Sequence, residues 1–235
     1  MSVNVTENDA VISKMLGPAQ QRMQQLGQAL VGAGDEPQKA YKALTSYASG
    51  MPEVAKQAAD SILTLRANSA LPREHRLAES SARRTAATVM LRKLNDAAHA
   101  EHGNLAEALA TAILPAPDRD PAQRGVNLKR IELRYGHLSG EHLVDAVRKR
   151  LGQDPVHDGE LLSPAGSDFF AGRDVNEDQV TGLRAAATEA YLKTNTGTKQ
   201  QTAARAGLTA LRALNVKGHI AAYQQAAVMH LSKAD

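Results

Sequence analysis

The sequence predicts an all-α protein, a multi-helix bundle in two helical lobes. Three observations predict it. Ala, Leu, Gln, Arg and Lys dominate the chain, and all are good helix formers. Apolar residues recur three and four positions apart, and no β-branched run of the kind strands need occurs. Gly and Pro stand between these periodic stretches as punctuation.

Met1 to Asn8 is polar and reads as mobile, so 1–17 is expected to be a flexible N-terminal segment. Pro18 suits a first-turn position, with Met23, Leu26 and Leu30 following at helical spacing. Gly32-Ala33-Gly34 ends that helix as a C-cap. Asp35 is a cap with Pro37 just inside the next helix, lined by Ala40, Tyr41, Leu44 and Tyr47. Ser49 and Gly50 are expected to break it, and Pro52 to open a third helix bearing Val54, Ala58, Ile62 and Leu65.

Pro72 opens a longer helix through about Ala100, with a buried stripe expected at Leu77, Ala82, Ala86, Val89, Met90, Leu94 and Ala97. His102 and Gly103 stop it, and Leu105, Leu109 and Ile113 mark a short helix closed by Pro115 and Pro117. Leu128, Ile131 and Tyr135 line the next, which ends at Gly136. Ser139 caps a helix carrying Leu143, Val144, Val147 and Leu151, ended by Gly152.

Residues 153–175 collect Pro155, Ser163, Pro164, Gly166, Gly172 and Asp174 and read as a loop or linker. The chain is thus expected to divide into a helical bundle at 18–152 and a C-terminal three-helix lobe at 176–235. In that lobe Asp174 caps a helix with Val180, Leu183, Ala187 and Tyr191. Thr198 begins the second, with Ala204, Leu208 and Leu211, and the third runs from about Val216 with Ile220, Val228 and Leu231.

Composition excludes several classes. Aromatics make up 3% of the chain and Trp is absent, so the core is aliphatic and Ala-rich. Cysteine is absent, which removes disulfides and thiolate metal sites. No apolar run approaches the roughly 20 residues of a membrane span. No phosphate-binding glycine loop, dinucleotide fingerprint or nucleophile elbow occurs. His99 and His102 have a spacing that could face one metal, but no third ligand accompanies them. No catalytic, cofactor-binding or metal-binding residue is therefore assigned, and the protein is expected not to be an enzyme.

Net charge is +3, too small by itself to argue for nucleic acid. The C-terminal helices are the most basic part, through Lys199, Arg205, Arg212 and Lys217. They lack the aromatic stacking or reading motif of nucleic-acid binders, so a solvated helical surface or an acidic protein partner is the expectation and a nucleic-acid-binding regulator the alternative. Phe169 and Phe170, the only phenylalanines, fall in 153–175. They either pin that loop to the body or anchor a partner. The candidate partner-binding residues are thus Phe169, Phe170, Arg205, Arg212 and Lys217.

Two stretches resemble known families. Gly182-Leu183-Arg184-Ala185-Ala186-Ala187-Thr188 is similar to the arginine-finger motif of bacterial toxins that stimulate GTP hydrolysis by small GTPases. In those toxins one residue separates the glycine from the Leu-Arg pair. That resemblance implies a GTPase-activating effector using Arg184.

Leu91-Arg92-Lys93-Leu94 through Glu101-His102-Gly103, then Leu105-Ala106-Glu107-Ala108-Leu109, resembles the gatekeeper family of type III secretion systems, the YopN, MxiC, InvE and HrpJ group. Leu128 to Tyr135 and Leu143 to Gly152 supply the elements that follow, so the resemblance covers about 35–152. It implies helical modules without catalytic residues that regulate an export apparatus by binding export-gate components and chaperones. The expectation for function is a non-enzymatic helical interaction module linked to type III secretion, as a gatekeeper-like regulator or an exported effector. Its partner would be an export-apparatus component, a chaperone or a host protein. It would reside in the bacterial cytoplasm or be secreted through that system.

Overall fold

The computed structural model describes residues 5–194 and 197–234, with side chains for all of these except 5–8, Pro164 and Ala165. It is all-α, and no strand occurs among the described residues. The helices are α1 (Val5–Ala29), α2 (Asp35–Ala67), α3 (Arg73–Ile113), α4 (Pro121–Tyr135), α5 (Gly140–Arg148), α6 (Pro155–Leu161), α7 (Pro164–Ala171), α8 (Glu177–Leu192), α9 (Lys199–Ala213) and α10 (Val216–Ser232).

The chain forms two compact units. The first takes the described residues up to Val31, Asp35–Ala108, and those from Gly207 on; the second takes Gly32–Gly34 and Leu109–Ala206. The boundaries fall on either side of Gly32–Gly34 and within α3 and α9, not in 153–175.

In the first unit α10 packs on α1 and α2. Three predicted breaks are absent, each for the same reason. Residues 5–17 are helical and continue through Pro18, because Ile12 and Ala19 extend the buried row of Met23, Leu26 and Leu30. Residues 1–4 lie outside the described residues. α2 runs unbroken past Ser49, Gly50 and Pro52, since Leu44, Ala48, Met51, Pro52, Ala55, Ala59 and Ile62 form one buried row. α3 runs unbroken past Gly103, since Ala98, Leu105 and Leu109 continue its inner row. Burial of one continuous face outweighs the roughly 1 kcal/mol cost of a mid-helix glycine and the larger cost of proline.

α3 is held by arginines. Arg76 Nη1 donates to the Arg66 carbonyl at 2.6 Å, Arg83 to Ser61, and Arg84 Nη2 to the Leu231 carbonyl at 3.4 Å. Arg66 in turn donates to the Ala234 carbonyl, beside the small cluster of Ala59, Ile62 and Ala234.

The second unit is built around the segment read as a loop. Residues 153–175 contain α6 and α7. Asp154 caps α6 and Ser163 caps α7, each followed by a proline in the first turn, so the Pro and Ser punctuation marks helix starts here. α6 packs on α4 and on α7, and α5 packs on α8. A Cβ on Gly159 would lie 2.7 Å from the Ala116 carbonyl oxygen and one on Gly166 1.9 Å from that of Leu161, so both glycines permit close backbone approach.

Among the other predicted caps, Asp35 is the first residue inside α2, and Ser139 stands at the N-cap of α5 without a side-chain hydrogen bond. Thr198 and Gln201 exchange hydrogen bonds at the start of α9. Asn176, not Asp174, caps α8, in a full capping box with Gln179; Asp174 sits before it at φ 56°.

Candidate functional site

The five residues proposed to bind a partner separate by burial and by unit. Phe170 is fully buried in the second unit, a core residue with no face left for a partner. Phe169 is half-buried, meets Phe170 edge-on at 5.8 Å, and lies under the Arg173 guanidinium at 4.0 Å. Arg173 also donates to both carboxylate oxygens of Glu132 at 2.6 Å. This stack occupies Phe169 within its own unit. Arg205 is buried in the second unit and donates to the Thr194 carbonyl, closing the α8–α9 connection. Arg212 and Lys217 are exposed and belong to the first unit. No single surface therefore carries all five.

Arg184 is half-buried and bonded within its own unit. Its Nε donates to the Leu162 carbonyl at 3.3 Å and its Nη2 approaches Ser167 Oγ at 3.4 Å. The side chain thus ties α8 to the α6–α7 junction.

The feature that the sequence reading missed lies on α3, in the first unit. The expected buried stripe is displaced by one residue. Ser80, Ala87, Leu91 and Ala98 face inward, whereas Val89 is 52% and Met90 47% exposed, and Ala82, Ala86 and Ala100 are exposed as well. At 100° per residue, Ala82, Val89, Lys93 and Ala100 lie opposite the inner row, and Ala86, Met90 and Ala97 lie on the adjoining flank. The helix is apolar on two sides, so periodicity offered two registers and the larger side chains favoured the wrong one. The inside is instead taken by small Ala and Ser beside Leu91.

The charge beside this face is one-sided. Between Glu79 and Asp96 the helix carries Arg83, Arg84, Arg92 and Lys93 and no carboxylate. Arg92 and Lys93 are exposed, whereas Arg83 and Arg84 are half-buried by their bonds to α2 and α10. Further along the same unit, burial and then the Lys217 charge hold the His102 pKa below its ordinary value.

The chain was compared with protein-family models, curated proteins and solved structures, and none matches. No helix among the described residues is long and apolar enough to cross a membrane. Among them no three His, Asp or Glu side chains converge in a way that could hold a metal ion.

Proposed function

We propose that the protein is a non-enzymatic helical interaction module whose first unit presents the outer face of α3 to an amphipathic, acidic-flanked helix of a protein partner. The observation that carries this reading is the solvent exposure of Val89 and Met90 amid small residues on a face bordered by Arg92 and Lys93. Large apolar side chains left outside, among alanines that allow close approach, are what a second helix packs against. The cations select a partner with carboxylates along its rim and speed encounter.

The biological setting proposed is bacterial type III secretion, with the protein acting as a gatekeeper-like regulator of export or as an exported effector. The similarity of residues 91–109, 128–135 and 143–152 to the gatekeeper group supports it. The helical break which that similarity implies at His102 and Gly103 is absent, since α3 is continuous there. The α3 face itself lies within the similar region.

The wild-type chain and the double variant Val89→Glu, Met90→Glu are immobilised and exposed to lysate of the producing bacterium and of a host cell. Export-apparatus components or their chaperones should be retained by the wild type and lost by the variant, at unchanged thermal stability. Retention of the same proteins by both would overturn the α3 reading. Self-association of the wild type that the variant abolishes would replace the acidic partner with a second copy of this chain.

A further inference from the structure

The second unit contains a polar cleft of about 540 Å³ between α4 and α6, lined by Asp118, Gln123, Asn127, Arg130, Arg134, Asp154, Val156 and His157. Gln123, Asn127, Arg130 and Arg134 follow one another at i, i+4, i+7 and i+11, so α4 turns a single polar stripe toward it. Two groups in its wall stand out. Asn127 is 4% and His157 7% exposed, and Asn127 Nδ2 and His157 Nε2 are buried without a hydrogen-bond partner.

The Asn127 side chain is held at its other end, whereas the His157 ring is positioned by neighbours without a hydrogen bond at Nδ1. Gln123 Nε2 donates to Asn127 Oδ1 at 3.2 Å, which leaves Nδ2 as the spare donor. His157 Nδ1 lies 3.5 Å from Asp158 Oδ1, and the ring lies 5.3 Å from that of Tyr135. Asp158 is itself anchored, its Oδ2 accepting from Tyr191 Oη at 2.7 Å and from the Gly152 amide at 2.8 Å. Nε2 is the imidazole nitrogen that is buried without a hydrogen-bond partner. Buried polar groups in folded proteins are almost always paired, since an unpaired one destabilises the fold. Two orphans in the wall of one cleft, beside two exposed guanidinium groups, call for a common partner.

We propose that this cleft binds a small phosphate monoester, with Asn127 Nδ2 and His157 Nε2 meeting the phosphoryl oxygens and Arg130 and Arg134 closing over them. Three terminal oxygens suit an amide donor, an imidazole and guanidinium forks better than the two of a carboxylate do. Asp118 and Asp154 line the same cleft and disfavour a bare anion. They accept hydrogen bonds from hydroxyls on the esterified part, and the cleft is several times larger than a phosphate group. This inference concerns the second unit and does not rest on the α3 face.

The test is long-range proton–nitrogen spectroscopy of the imidazole nitrogens, the His157 signals being assigned by their loss in His157→Gln. Glycerol 3-phosphate, inorganic phosphate and glycerol are titrated separately into the full chain. Glycerol 3-phosphate should shift His157 Nε2 saturably at millimolar concentration, inorganic phosphate more weakly, and glycerol not at all. Arg130→Gln with Arg134→Gln should weaken binding about tenfold or more, and Asn127→Leu should weaken it while the fold is retained by circular dichroism. Lys129→Gln, an exposed charge on α4 that does not line the cleft, should leave it unchanged. No saturable shift with glycerol 3-phosphate, or affinity unaffected by the paired arginine change, overturns the proposal. Inorganic phosphate binding as tightly as the ester overturns the assignment of an ester.

Discussion

Tyr41 of α2 donates its hydroxyl hydrogen to the main-chain carbonyl of Met23 at 2.8 Å while its ring covers Gly27 of α1. A Cβ on Gly27 would lie 2.5 Å from the Tyr41 hydroxyl oxygen. In an open helical position Gly→Ala stabilises by roughly 0.5–1 kcal/mol. Here the methyl must displace the ring and its hydrogen bond, so Gly27→Ala should destabilise by about 1–3 kcal/mol, as overpacking does. Tyr41→Phe keeps the ring and should cost only about 1 kcal/mol. Urea denaturation of both variants decides it. A stabilised Gly27→Ala would mean that Tyr41 does not hold this position in solution.

The α6 carboxylates give a second prediction. Glu160 is fully buried, accepts from the Asp118 amide at 2.9 Å and pairs with Arg124 Nε at 3.3 Å. Asp158 receives Tyr191 and the Gly152 amide. Burial, and then the bond to Asp158, push the Tyr191 pKa far above its ordinary value. Tyr191→Phe should cost about 1–3 kcal/mol, since it leaves a buried carboxylate one donor short. Asp158→Asn should cost more, because an amide cannot accept both donors on one oxygen without turning its own N–H groups toward a neighbour. The double variant should cost less than the sum of the two, and additivity within about 0.5 kcal/mol would show that the two side chains do not interact.

Acid should act on the first unit before it acts on carboxylates. Burial is the first cause holding both His102 and His230 below the ordinary histidine range, and Lys217 and Lys233 respectively add to it. A base with a depressed folded-state pKa binds protons more readily when unfolded. Stability is therefore full above the unfolded value of about 6.5 and falls as pH drops through it. Asp9, whose pKa the hydrogen bond from Lys233 lowers, contributes a later loss below the usual carboxylate value of 3.8. The urea midpoint should thus decline between about pH 7 and 5, and His102→Gln with His230→Gln should flatten that decline. A midpoint that rises over this interval, or an unchanged slope in the double variant, would contradict the assignment.

What was legible in the sequence was periodicity, and what was not was the outcome of competition between punctuation and burial. Thr198 and Gly136 stand at real helix ends, because capping is a local interaction written in adjacent residues. Pro52 and Gly103 look locally like breaks, yet the rows on either side of them are in phase; Pro52 is itself buried in its row, whereas Gly103 is exposed and the buried Ala98 and Leu105 continue past it. Residues 153–175 failed in the opposite sense. Their Ser-Pro and Asp-Pro pairs open helices too short to show a period, and the charged residues there are buried by partners distant in sequence, such as Arg124 and Tyr191. For the same reason the Asn127–His157 cleft could not be read in advance.

The register of α3 gives the last prediction, and it separates packing from presentation. Leu91 is 9% exposed and points inward, whereas Met90, its neighbour, turns about 100° away toward solvent. Leu91→Ala should therefore cost about 2–5 kcal/mol, in the range for a buried leucine. Met90→Ala should change stability by no more than about 0.5 kcal/mol, as substitutions outside the core do. Leu94 is half-buried, so Leu94→Ala should fall between them. With a partner in hand the order reverses: Met90→Ala speeds dissociation because an apolar anchor is lost. Neutralising Arg92 and Lys93 slows association chiefly at low ionic strength, because exposed charges steer encounter and are screened within about 10 Å at 0.1 M salt. Equal loss of stability in Met90→Ala and Leu91→Ala would show that Met90 is covered in the native state, and the outer face of α3 would then be core and not a docking surface.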